Sequence, residues 1–261
     1  MSDTTVTSSS TLATDKTSSG KQCHHNPLVS CGDCRLNAIC LPISLHIDDI
    51  DKLNNIIQRG RPLQKGEYLY RSGDTFQSVY AVRSGTVKAV NITNDGQEQV
   101  TGFYLPGEVL GMDGIAQNHY TNSAIALETS AVCEIPFSRL EGLSLQLPTL
   151  QRHFFQLMSR EITSDQQLIT LLSKNSADER ITSLLLSIST RNHHRQLSAT
   201  SFRLPMSRSD MGNYLGLTIE TVSRVLSRLQ KNNLIAVDKK EIHILDMAGL
   251  KKIANVEPDC Q

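Results

Sequence analysis

From Pro148 to about Ser173 the chain runs without a glycine and without a second proline, and this stretch restricts the fold more than any other. A proline fits the first helical turn, where its missing N–H has no partner to lose, so Pro148 marks a helix start. Beyond it Phe155, Met158, Ile162, Asp165, Ile169 and Leu172 recur at alternating spacings of three and four. That period is the seam of a coiled coil rather than a stripe facing its own core. One acid, Asp165, sits inside the seam. A helix of this kind separates the N-terminal half of the chain from the C-terminal third and asks for a second helix alongside.

The N-terminal half has a different grammar. Short apolar or alternating runs (Tyr68 to Tyr70, Val79 to Val82, Val87 to Ile92, Gln99 to Tyr104, Ser123 to Glu128, Ala131 to Ile135) are separated by turn signals at Lys65-Gly66, Ser72-Gly73-Asp74, Ser84-Gly85, Asp95-Gly96 and Pro106-Gly107. Regular short strands with glycine-bearing turns predict an antiparallel sandwich or barrel. A short helix is expected before it, around Asp48 to Ile57, with Leu53, Ile56 and Ile57 on one face. Residues 1 to about 20 are rich in Ser and Thr and are expected to be disordered. They contain neither a basic n-region nor an apolar h-region, so no secretory signal is expected, and no run of about 18 apolar residues predicts a membrane span. The chain is expected in the cytoplasm.

After Lys174 the pattern is helical again over Ala177 to Thr190, Ser207 to Leu215 and Thr218 to Lys231, then a hairpin of Leu234 to Val237 and Glu241 to Leu245. The whole chain of 261 residues has zero net charge, but residues 174–240 hold 11 Lys/Arg against 5 Asp/Glu, a surplus of 6 that the remainder must balance. A surplus in one third fits either a DNA-contacting module or a solvated basic surface. The segment Arg208 to Leu226 favours the first. Gly212 is small where two helices must cross closely, Gly216 permits a sharp turn, and Met211, Leu215, Leu217, Val222 and Val225 can lock the angle between them. Thr218 is a natural cap for the second helix and Glu220 lies in its first turn. Thr221, Ser223, Arg224, Ser227 and Arg228 are expected on its exposed side, where Arg can pair with guanine and Glu can accept from a cytosine amino group.

Cys31, Cys34 and Cys40 form C-x2-C-x5-C, and Cys133 lies far off in an apolar stretch. Cysteines in a chain without an export signal more often bind metal than form disulfides. The spacing leaves two centres open: an iron–sulfur cluster completed by Cys133, or a zinc site completed by Cys23, His24 or His25. Cys260 is expected to be an ordinary exposed thiol.

Taken together, a Cys-rich N-terminus, a β-roll, a long helix and a winged helix-turn-helix resemble the cyclic-AMP receptor/FNR superfamily, and most nearly its FNR branch. The resemblance extends from Cys31 to about Leu245 and is carried by Cys31-Gly-Asp-Cys34, Tyr80-Ala-Val-Arg-Ser-Gly-Thr86, Ala126-Leu-Glu-Thr-Ser130, Cys133-Glu-Ile-Pro-Phe137 and Gly212-Asn-Tyr-Leu-Gly-Leu217. It implies an α+β chain: an antiparallel, jelly-roll-like β-roll sensor domain with the cluster-binding segment (23–146) after a tail (1–22), a dimerisation helix (147–173), a winged helix-turn-helix (174–246) and a C-terminal tail (247–261). It further implies that Cys31, Cys34, Cys40 and Cys133 hold a [4Fe–4S] cluster, and that Glu220, Ser223 and Arg224, with Thr218, Thr221 and Arg228 around them, meet an inverted-repeat DNA site. Met158, Ile162, Asp165, Ile169 and Leu172 are then the interface of a homodimer. A polymerase-contacting surface is implied at Ser84, Thr93, Gly96, Gln97 and Thr129, with Gln97 standing where the family has an acid.

The expected function is an oxygen-sensing transcription regulator, acting as activator and repressor and not as an enzyme, that binds DNA as a dimer while the cluster is intact. A zinc- or haem-based sensor on the same DNA-binding end is the alternative. A redox enzyme is disfavoured because no Gly-x-Gly-x-x-Gly fingerprint occurs. Nucleotide-binding relatives hold a cyclic phosphate with an Arg-Ser or Arg-Thr pair after a Gly-Glu turn. Here Gly107-Glu108 is followed by Asn118-His-Tyr-Thr-Asn-Ser123 without an Arg, so no cyclic nucleotide is expected. Arg35, next to Cys34, is expected either to tune the cluster or to lie in solvent.

Overall fold

A computed structural model describes residues 29–93 and 96–255. The tail 1–22, Cys23, His24, His25, Asp95 and Cys260 lie outside the described residues. The first regular helix, α1 (Ile47–Ile56), buries Leu53, the central residue of its apolar face. Seven strands come next: β1 (Tyr68–Tyr70), β2 (Ser78–Ser84), β3 (Val87–Ile92), β4 (Glu98–Tyr104), β5 (Val109–Leu110), β6 (Ser123–Ala126) and β7 (Ala131–Pro136). They form two antiparallel sheets, β1-β6-β3-β4 and β5-β2-β7. This is the antiparallel roll that the strand grammar predicts. β5 escaped prediction because two residues are too few to show alternation.

Gly85 shows why glycine ends β2. Its φ is +77°, and a Cβ there would lie 2.6 Å from the Thr129 carbonyl oxygen. The turn is thereby pressed against 129–130, where Ser130 Oγ accepts from Thr86 N at 3.1 Å. Inside the roll Tyr70 stacks on Tyr120 with centroids 3.9 Å apart, and the Tyr120 hydroxyl donates to the Ser78 carbonyl at 2.7 Å.

Helix α2 (Phe137–Gln146), not foreseen in the sequence, buries Leu140 and Leu143 and stops before Pro148. Helix α3 (Pro148–Lys174) matches its predicted span, and α4 (Ala177–His194) runs four residues past Thr190. A capping box starts α4: Ser176 Oγ accepts from Glu179 N and the Glu179 carboxylate accepts from Ser176 N. Then come β8 (Ser201–Arg203), α5 (Arg208–Leu215), α6 (Ile219–Lys231), β9 (Ile235–Asp238), β10 (Glu241–Ile244) and α7 (Met247–Ile253), with the strands ordered β8-β10-β9. The expected tail 247–261 is corrected over its described part. Asp246 caps α7 through Gly249 N at 2.9 Å, and α7 buries Leu250 against the helical domain because that apolar side chain completes its core.

The roll and the helical domain share one apolar core. Val90, Val100, Phe103, Ile125 and Leu127 of the roll pack in the same cluster as Leu184, Leu185, Met211 and Leu215. Polar contacts border it: Lys88 Nζ lies 2.9 Å from Asp210 Oδ1, Gln99 Nε2 donates to the Asn213 carbonyl at 2.6 Å, and Val100 N donates to Asn213 Oδ1. Arg180 donates to three carbonyls, those of Asn175 (2.9 Å), Leu215 (2.9 Å) and Leu172 (2.7 Å). It thereby ties the end of α3 to the end of α5, placing a cation where helix C-termini carry partial negative charge.

Candidate metal centre and nucleic-acid interface

Residues 31–40 have few apolar side chains and fold through local turns. Asn37 N donates to the Cys34 carbonyl at 2.9 Å, Cys40 N to the Leu36 carbonyl at 2.9 Å, and Asn37 Nδ2 to the Gly32 carbonyl at 3.2 Å. Buried Leu36 and Leu41 anchor the segment on either side of Cys40. Cys133 sits in β7 opposite Ala81 of β2. The fold brings all four thiols to one cavity, walled mainly by Val29, Leu36, Leu41, Ile57, Ala81, Val82 and Ile135, with Arg59 and Arg83 also lining it. Burial pushes the Cys31 thiol up to about 11 and the Cys40 thiol up to about 12, and raises Cys133 as well. Such thiols are neutral near pH 7 and give up their protons when a metal takes the sulfur. Among the described residues, no group of three or more His, Cys, Asp or Glu is arranged to hold a single metal ion.

The cysteine segment also reaches α3. The Cys40 carbonyl accepts from the ring of buried His153, and Cys40 and Leu41 share a core with Leu150, Phe154, Leu157 and Met158. Further along α3 the seam residues diverge. Phe155, Ile162 and Ile169 are 60, 58 and 66% exposed and Asp165 is exposed, whereas Met158 and Leu172 are half-buried. Partial burial raises the Asp165 carboxyl above its ordinary value.

In the helix-turn-helix, a Cβ on Gly212 would lie 2.5 Å from the Leu217 carbonyl oxygen, so its close approach is to the turn itself. Gly216 adopts φ +62° and ends α5. Thr218 caps α6 through Thr221 N at 3.2 Å. Val222, Val225, Leu226 and Leu229 face the core, leaving Glu220, Arg224, Ser227 and Arg228 exposed and Thr221 and Ser223 half-exposed. The Glu220 carboxyl is held below its ordinary value by its own backbone N–H and the Thr218 hydroxyl. Ser223 Oγ accepts from Arg208 Nη1 at 3.0 Å, and Arg224 Nη2 donates to Thr221 Oγ1 at 3.2 Å. Arg228 is set apart: it forms a two-pronged ion pair with Asp178, at 2.9 and 2.5 Å.

Ser84 and exposed Thr129 lie together across the Gly85 turn. Exposed Thr93, Gly96 and Gln97 lie at the far end of β3, about 20 Å off at strand rise. The structure therefore makes two surfaces of the five expected polymerase contacts. Arg35, considered in the sequence, is exposed, whereas Arg59 reaches the cavity. Nothing local marks Arg59, because its proximity comes from pairing between Gln58 and Glu134, 76 residues apart.

Two family models match: the Crp-like helix-turn-helix domain over residues 179–253 and the cyclic nucleotide-binding domain over residues 60–146. Among curated proteins, the transcriptional activator protein anr of Pseudomonas aeruginosa is 55% identical over 228 residues, covering 87% of this chain and 93% of its own length. The fumarate and nitrate reduction regulatory protein of Escherichia coli is 46% identical over 226 residues, covering 87% and 90%. Among solved structures, FixK2 from Bradyrhizobium japonicum superposes with a TM-score of 0.69 at 27% identity, covering 79% of this chain and all of that one.

Proposed function

The chain belongs to the Crp/FNR family of transcriptional regulators, and from that premise we propose that it pairs on inverted-repeat DNA only while Cys31, Cys34, Cys40 and Cys133 hold an oxygen-labile [4Fe–4S] cluster. It is a DNA-binding regulator and not an enzyme. The observation that carries the finer proposal is the convergence of four thiols, from a loop and from a strand about a hundred residues later, on one apolar cavity.

Bound there, the cluster supplies oxygen-labile covalent ties between residues 31–40 and β7. The chain's own residues do the rest. Cys40 and Leu41 rest on the start of α3 through His153, Leu150 and Phe154. Fixing that segment fixes the helix whose exposed Phe155, Ile162 and Ile169 lie against a second copy. Met158 and Leu172 flank the seam, and two Asp165 carboxyls approach across the axis, opposing association. A marginal pairing results, which about 1.4 kcal/mol shifts tenfold. Each α6 then presents Glu220, Ser223 and Arg224 to a major groove, with Thr218, Thr221 and Arg228 beside them, and loss of pairing disengages one half-site. Ser84 with Thr129, and Thr93 with Gly96 and Gln97, are two separate surfaces toward RNA polymerase.

Cyclic nucleotide is not part of the proposal, although that domain model matches. Asp113 Oδ2 accepts from Thr121 N (3.0 Å), Thr121 Oγ1 (2.7 Å) and Asn122 N (2.9 Å), so a carboxylate of the chain itself occupies these donors of Thr121 and Asn122. A phosphate there meets like charge. Among the described residues no helix is long and apolar enough to cross a membrane. The deciding experiment compares DNA binding to an inverted-repeat library, anaerobic and aerated, for wild type and Cys133→Ser. Tight binding confined to anaerobic wild type is expected; equal binding in all four cases overturns the proposal.

A further inference from the structure

Four cysteine thiolates on iron make an anionic group, and an anion in an apolar cavity is strongly disfavoured unless a cation or hydrogen-bond donors compensate it. The cavity contains such a donor in Arg59. Its Nη2 lies 3.7 Å from Cys31 Sγ and 2.8 Å from Asn54 Oδ1, and the same Asn54 oxygen accepts from Cys31 N at 3.1 Å. One carboxamide therefore holds both the ligand's backbone and the guanidinium. Arg59 Nε is buried and has no hydrogen-bond partner among the described residues. A buried guanidinium N–H without an acceptor is costly to leave so, and here it lines the cavity of the four thiols. The backbone pairing of Gln58 with Glu134 (2.8 and 2.9 Å) places Arg59 beside Cys133 as well. Arg59 therefore stands beside a cysteine from each side of the cavity, Cys31 of the loop and Cys133 of β7.

We propose that Arg59, clamped by Asn54, is the residue that compensates the charge of the cysteine-held cluster by presenting its N–H fork to the ligand sulfurs, a role that rests on the cluster proposed above. Hydrogen bonds to ligating sulfur withdraw electron density, lengthen the Fe–S bonds and make the centre harder to oxidise. Arg35, exposed to solvent, contributes little of this.

The test uses the full chain, isolated anaerobically, as wild type, Arg59→Gln, Arg59→Lys, Asn54→Ala and Arg35→Gln. Iron and acid-labile sulfide per chain, the Fe–S stretching bands in resonance Raman spectra, and the rate of bleaching in air are measured. Arg59→Gln is expected to bind iron and sulfide, to shift the Fe–S bands to higher frequency and to bleach about tenfold faster, the effect of losing one charge-assisted hydrogen bond. Arg59→Lys keeps the charge and recovers part of the bleaching rate but not the bands, and Arg35→Gln matches wild type. If Arg59→Gln does not fold, Asn54→Ala, which frees the same fork, must show the band shift. Wild-type bands and bleaching in Arg59→Gln, or in Asn54→Ala where that is the variant read, overturn the role of Arg59 while leaving the cluster intact. Wild-type protein without iron and sulfide overturns the cluster itself.

Discussion

Glu108 in the roll and Arg191 in α4 are joined: Arg191 Nη1 lies 3.0 Å from Glu108 Oε2 and donates to the Phe103 carbonyl at 2.9 Å. Arg195 stands 4.0 Å from the other Glu108 oxygen. Next to Glu108, a Cβ on Gly107 would come within 2.7 Å of Ile39 Cδ1, the neighbour of Cys40. The cysteine segment and the DNA-binding domain therefore rest on two adjacent residues of one turn.

The Glu108–Arg191 pair keeps roughly a quarter to a third of each side chain exposed (30 and 27%), so solvent screens it. A double-mutant cycle of Glu108→Gln and Arg191→Gln in urea unfolding is expected to give a coupling of about 0.5–1 kcal/mol. No coupling means that this pair adds nothing to the apolar core and to the Lys88–Asp210 and Asn213 contacts that join the two domains.

Gly107→Ala should destabilise by about 1–3 kcal/mol, because φ is +94° and the added methyl meets Ile39. The displacement falls beside Cys40, so anaerobic iron retention should fall with stability. Retained iron at lowered stability would separate the turn from the proposed metal centre.

Asp165→Ala removes the acid from an otherwise apolar seam and should leave a dimer in air under conditions where the proposed switch makes wild type monomeric, as sedimentation would record. The Asp165 carboxyl is raised by burial within one chain, so its contribution favours the folded form below the ordinary value of 3.8 and is lost as pH rises through the raised one. A variant that stays monomeric in air removes Asp165 from the switch.

Glu161 behaves similarly within one chain. Burial raises its carboxyl, Asp165 and Glu108 add to the rise, and Arg191 and the Tyr104 hydroxyl, 2.6 Å away, oppose it. A raised acid contributes stability below its ordinary 4.5 that is lost as pH climbs through the raised value. Glu161→Gln keeps an acceptor for Tyr104, so its melting temperature should vary less with pH from 4.5 upward than that of wild type.

Arg224→Ala should cost about 1–3 kcal/mol of operator binding and relax preference at one base pair per half-site. Arg228 starts from an ion pair with Asp178, so Arg228→Ala should weaken binding less. Binding to a panel of single-substituted operators distinguishes the two.

The sequence alone determined the elements whose signals are local. Pro148 and the three-four spacing marked α3, glycine turns marked most strands of the roll, and Thr218 with Val222, Val225 and Leu226 marked α6, because caps and periodicity act within a few residues. It also exposed the spacing of Cys31, Cys34 and Cys40, though not which metal they suit. Tertiary structure alone decided what depends on distant partners. It brought Cys133 to that segment across the β2–β7 pairing and aimed Arg59, rather than Arg35, at the sulfurs. It paired Arg228 with Asp178, set Ser84 and Thr129 apart from Thr93, Gly96 and Gln97, and folded α7 onto α4 through Leu250. Such contacts arise from strand register and core packing, which join residues dozens of positions apart and leave no periodic trace in the chain.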